Sequence, residues 1–194
     1  MNNYPFITRS EIEQHISPAL LRVNTIITLA ILAGPFILLI GIIVIYQTGQ
    51  NIGTADSIYG TFIFLIRIFV IYLFLLYGAY IILPKFMLKS EFIKKRISDA
   101  EPGTPVETSV IFLGKLTNFD RQFMIIRLAL LEGASLFGMV LLFMAINNGP
   151  VESMPEIWLF VVPSLIQLII TIKEYLPKEK LIQRIEKYIS ILNS

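Results

Sequence analysis

The chain has 194 residues, 55% of them hydrophobic and only 15% charged. A typical soluble domain carries roughly 25% charge, so this balance excludes an ordinary water-soluble globule and points to lipid. The net charge of +2 says little alone, but the lack of cysteine excludes disulfides, thiolate metal sites and cysteine nucleophiles, and the single histidine, His15, excludes metal sites built on several imidazoles.

Residues 1–22 are polar enough to stay outside the lipid. They lack the basic start, short apolar core and small-residue cleavage site of a secretory signal, so the first long apolar run is expected to be an uncleaved anchor. Ser10 to Gln14 predicts a short helix with Ser10 as N-cap, broken or restarted at Pro18. A first span is predicted over 23–46, kinked at Gly34-Pro35. The loop 47–58 contains no Lys or Arg. A second span over 59–83 is rich in Phe and Tyr, contains Arg67 and is expected to stop at Pro84.

Residues 85–122 read as a long polar segment. Within it, 85–100 predicts an amphipathic helix, with Leu88, Phe92 and Ile93 opposite Lys89, Lys94, Lys95 and Arg96. A turn follows at 101–105, and 110–113 is an apolar patch too short to span. The third span is predicted over 123–146, and its loop 147–156 again has no Lys or Arg. A short fourth span runs from 157 to about 172, with Trp158 as interface anchor and Pro177 beyond its end. Leu181, Ile182, Ile185, Tyr188, Ile189 and Leu192 then recur at helical spacing, predicting a second interfacial amphipathic helix.

Arg9 and Arg22 flank the first span. Lys85, Lys89, Lys94, Lys95, Arg96, Lys115 and Arg121 fill the middle segment, and Lys173, Lys178, Lys180, Arg184 and Lys187 follow the last span. With basic residues absent from both other loops, the positive-inside rule puts the termini and the long middle segment in the cytoplasm.

The chain also reads as one unit used twice, over 1–100 and 101–194. Leu29 to Phe36 aligns with Leu128 to Ser135, Arg22 with Arg121, and Leu83-Pro84-Lys85 with Leu176-Pro177-Lys178. Each second span is followed by a basic amphipathic helix. The fold expected is therefore an all-α membrane protein of four transmembrane helices, arranged as two parallel-repeat hairpins, each followed by a cytoplasmic interfacial helix.

Glu132 lies well inside the third apolar run, where an ionised group costs roughly 2.5–3.5 kcal/mol or more. It is the leading candidate for a proton or ion site. Its repeat counterpart is Ala33, so the hairpin does not require an acid there. Arg67 is the other intramembrane charge, offset from Glu132 in depth by about 9–10 Å, and Gln167 in the fourth span is a further candidate partner. Ala30 with Gly34, Ala129 with Gly133, and Ala134 with Gly138 are small-residue pairs that let another helix approach. They suit internal packing or a homo- or hetero-oligomer. Lys94, Lys95 and Arg96 suit anionic lipid headgroups at about 1 kcal/mol per charge. Nucleic acid is not an expected partner, because Glu91, Asp99 and Glu101 offset this small cluster.

The stretch Ala129-Leu-Leu-Glu132-Gly-Ala-Ser-Leu-Phe-Gly138 resembles the carboxylate helix of rotary ATPase proteolipid subunits, some of which also hold four spans in two parallel hairpins with one acid. That resemblance implies a protonatable carboxyl at Glu132. The acid here stands in the first helix of its hairpin, whereas proteolipids carry it in the second. The glycine-rich first helix of that family is also missing, so no family is assigned.

No nucleophile–base pair, phosphate loop or metal-ligand spacing is present in the sequence, and no catalytic residue or cofactor is expected. The expected role is a non-enzymatic accessory or assembly subunit of a bacterial cytoplasmic membrane. The alternative is a small proton- or cation-coupled transporter or channel component using Glu132.

Overall fold

The structure is a computed structural model that describes residues 7–48, 59–98, 109–147 and 155–193, nearly all of them helical. The loop stretches 49–58 and 148–154 and the turn expected at 101–105 lie outside the described residues. Four helices are long and apolar enough to cross a membrane: Pro18–Gln47, Phe62–Met87, Ser109–Asn147 and Glu156–Tyr175. The chain is thus a multi-pass integral membrane protein.

Helix α1 (Arg9–His15) is capped by Thr8, not Ser10. The reason is the position of Glu11. Its carboxylate accepts from the Thr8 backbone N–H at 2.7 Å while its own N–H donates to Thr8 Oγ1 at 3.4 Å, a reciprocal capping box. Helix α2 (Pro18–Gln47) begins on a proline, which needs no N–H acceptor there, and Ser17 Oγ accepts from Leu20 N–H at 3.3 Å. It stays helical through Pro35.

Helix α3 (Tyr59–Met87) does not stop at Pro84. The Pro84 carbonyl still accepts, from Leu88 N–H at 3.0 Å, and in lipid a continued helix leaves fewer backbone groups unpaired. Helix α4 (Ser90–Ser98) covers only the later part of the amphipathic helix expected over 85–100. The largest departure is α5 (Ser109–Asn147), a single helix of 39 residues. At 1.5 Å per residue it measures about 58 Å, nearly twice the ~30 Å hydrocarbon core. The 110–113 patch is its first turn.

The fourth crossing is wound three ways. A 3₁₀ segment (Pro155–Val161) leads into α6 (Val162–Ile170), which loosens into a π-helical turn (Thr171–Tyr175). Helix α7 (Lys178–Asn193) closes the chain, and its six predicted apolar positions are all buried in protein.

The chain divides into two compact units, and both cut across the 1–100 and 101–194 halves. Unit 1 takes the described residues of Met1–Thr28, Ile81–Arg127 and Ile172–Ser194; unit 2 takes those of Leu29–Tyr80 and Leu128–Thr171. In unit 1, Ile12 and Ile16 join Ile93 and Ile97 of α4, Phe112, Leu113, Leu116 and Phe119 of α5, and the apolar stripe of α7 in one core. In unit 2, Ile42, Phe62 and Phe69 pack with Met139, Leu142, Ala145, Ile157 and Phe160.

Candidate functional site

Unit 2 is built around the part of α5 that follows Leu128. Glycines set where its neighbours come close. At Gly34 on α2 a Cβ would stand 3.2 Å from Glu132 Oε1, so the missing side chain leaves room for the carboxyl. At Gly133 a Cβ would meet the Tyr72 hydroxyl of α3 at 3.4 Å. At Gly138 it would meet the Phe160 carbonyl oxygen at 2.5 Å, closer than any real side chain tolerates. Three consecutive faces of α5 therefore receive α2, α3 and the fourth crossing.

Glu132 is half-buried and forms no hydrogen bond or ion pair with the described residues. Arg67 is exposed and does not pair with it. Because Tyr72 lies beside Gly133 and Phe69 beside Gly138, Arg67 is displaced along the bundle from Glu132 by about 9–12 Å. Gln167 is fully buried, with neither its Nε2 nor its Oε1 partnered among the described residues. Phe160 touches Gly138, so Gln167, seven residues on, and Glu132, six residues back in the antiparallel helix, share one depth to within about 2 Å. The structure places the two at one level and joins them by no bond.

The small-residue pairs divide. Ala134 is fully buried and, with Gly138, packs inside the unit. Gly34 and Gly133 are also in contact, but their partners Ala30 and Ala129 are exposed. Lys94 on α4 is half-buried; Lys95 and Arg96 are exposed, and the Arg96 guanidinium lies 5.9 Å from the centre of the Phe92 ring.

Two polar constellations go beyond the residues that the sequence singles out, although Gln167 of the second is among those. The first is in unit 1. Asp120 on α5 is almost fully buried and takes both ends of the Arg184 guanidinium, at 2.8 and 3.0 Å, together with the Tyr188 hydroxyl at 2.8 Å. Arg184 also donates to the Glu174 carbonyl at 2.6 Å and lies over the Tyr175 ring. Burial works against the Arg184 charge, but the Asp120 carboxylate outweighs it and holds the guanidinium above its ordinary value. Burial, then the same carboxylate, pushes the Tyr188 phenol up. Nearby, Arg121 donates to Asn24 Oδ1 at 2.9 Å.

The second lies on the fourth crossing. Ser164, Gln167 and Thr171 are each 0% exposed, and the Ser164 and Thr171 hydroxyls, like both Gln167 polar atoms, have no partner among the described residues. An unpaired buried polar group costs about 1–3 kcal/mol. An apolar groove of about 430 Å³ lies nearby, lined by Ile66, Phe69, Leu73, Tyr77, Phe160 and Ile166, with the buried Tyr77 hydroxyl unpartnered.

No family model, curated protein or solved structure matches this chain.

Proposed function

We propose that this membrane protein is a non-enzymatic accessory or assembly subunit. The carrying observation is that Glu132, Arg67 and Gln167, the polar residues that stand out in the crossings, form no bond to one another. A reaction centre needs several groups converging on one point. The exposed Ala30 and Ala129, beside glycines already in close contact, give α2 and α5 edges that a helix of another subunit or a second copy can approach.

The finer architecture belongs to this reading. The two halves are a duplicated hairpin, supported by Gly34 and Gly133, which stand at matching positions and both admit a neighbouring side chain. The termini, α4 and α7 lie on the cytoplasmic side of a bacterial cytoplasmic membrane, as the basic residues suggest. Lys94, Lys95 and Arg96 face anionic headgroups, with the α4 apolar residues Ile93 and Ile97 turned into unit 1.

A second reading is favoured by one observation: the Glu132 carboxyl, unpartnered among the described residues, faces the space left by Gly34. That suits a protonatable group in a proton- or cation-coupled component. Photo-crosslinkers at Ala30 and Ala129 test the first reading. It expects one discrete protein adduct absent from a Phe74 control, and lipid adducts alone would overturn it. Glu132→Gln separates the second. A coupled component loses pH-driven flux in proteoliposomes, whereas an assembly subunit keeps its adduct.

A further inference from the structure

The apolar groove of unit 2 runs between α3 and the fourth crossing. On α3 its lining follows one helical stripe, Ile66, Phe69, Leu73 and Tyr77. From Ile66 to Tyr77 is about 16 Å of helix, close to half of the ~30 Å hydrocarbon core, the depth of one leaflet. Phe69 and Phe160 are buried and close the groove from behind, while Val70, Leu159 and Val162 on its rim are exposed, so it opens sideways into lipid. Spread over that length, a volume of about 430 Å³ leaves a cross-section of about 27 Å². A helix about 10 Å across covers about 80 Å², so neither a second copy nor a partner helix enters. A single hydrocarbon chain does, since its carbons pack about 3.5–4.0 Å from their neighbours.

Two opposite charges stand at one end of this groove. Glu156 lines it and is exposed, where the fourth crossing begins. Arg67 is exposed beside Ile66, three residues before Val70 of the rim, and neither charge has an ion-pair partner among the described residues. The apolar part of α3 begins at Phe62, which puts Arg67 about 8 Å inside it, within reach of the headgroup layer for a side chain that bends outward. The guanidinium fork suits a phosphate, which it can hold through paired hydrogen bonds. Glu156 disfavours a head of net negative charge and suits an ammonium. We infer that the groove seats one acyl chain of a phospholipid whose head carries both a phosphate, held by Arg67, and an ammonium, held by Glu156. This goes beyond either role proposed above and depends only on α3 and the fourth crossing lying in lipid.

Native mass spectrometry of the full chain, released from vesicles of equal parts ethanolamine and glycerol phospholipid, reads what stays bound. One phospholipid per chain is expected, with the ethanolamine type enriched about tenfold. No retained lipid, or both types retained equally, overturns the inference. Arg67→Gln removes the charged donors and should lower retention about tenfold, and Glu156→Gln should erase the preference between heads. Leu73→Trp fills the groove and should remove the lipid, whereas Phe74→Trp, on the open lipid face, should keep it; equal retention in the two overturns the inference. If Leu73→Trp does not fold, the unaltered chain carries the test. An ethanolamine phospholipid with a diazirine halfway along its chain should label Phe69 and Tyr77 more than the far more exposed Phe74 and Leu75. Labelling that simply follows exposure overturns the inference.

Discussion

Asp120 shows how far one residue's surroundings escape its sequence. A carboxylate in a polar stretch reads as solvated, and its partners Arg184 and Tyr188 lie 64 and 68 residues away. Only its position in register with Leu113 and Leu116 hinted that it faces inward. Removing one partner of a buried ion pair costs about 3–5 kcal/mol, so Asp120→Ala should lower stability by that amount in denaturant titrations of the detergent-solubilised protein. Combining Asp120→Leu with Arg184→Met and Tyr188→Phe should recover most of the loss, because neither a charge nor the buried phenol is then stranded. Glu132, by contrast, was legible at once, since a charge inside an apolar run stands out; its lack of a bonding partner was not. The glycines give a contrast that is easy to measure. Gly114 has nothing within 4 Å of an added Cβ, so Gly114→Ala should stabilise α5 by up to about 1 kcal/mol. Gly138→Ala should destabilise, because the obstacle is backbone and cannot swing aside.

At the scale of elements, three crossings were placed within a few residues by apolar length alone, and the six buried positions of α7 were legible from their spacing. The first 14 residues of α5, 109–122, were not. Charges at Lys115, Asp120 and Arg121 made the segment read as polar, although Phe112, Leu113, Leu116, Phe119 and Phe123 keep one helical stripe running into the crossing. Apolar length measures fit to lipid, whereas this stripe is covered by α4 and α7. Leu116→Ala should therefore cost about 2–5 kcal/mol in the same titrations, as for any enclosed leucine, whereas Val110→Ala, at a largely exposed position, should change little. Equal costs at the two sites would mean that this stretch of α5 is not packed as described.

For the molecule as a whole, acid acts on unit 1 in one direction. Hydrogen bonds from the Thr8 backbone and hydroxyl hold Glu11 below the usual glutamate range, and the bond from Arg9 does the same for Glu179. Burial holds His15 below its usual value. A group lowered on folding contributes stability above its unfolded value and loses it as pH falls through the folded one. The urea midpoint should thus be flat between about pH 6.5 and pH 9, fall first as His15 becomes charged, and fall again below about pH 4.3. His15→Gln should erase the first step and Glu11→Gln should shrink the second; a midpoint that rises on acidification would contradict both assignments. The contact at Gly138 reaches beyond this one chain. Two main chains touch there with no side chain between them, so every descendant that keeps the fold inherits the same vacancy. Any relative that keeps this contact should carry glycine at that place, while glycines at 41, 78 and 114, which border open space, should be free to drift.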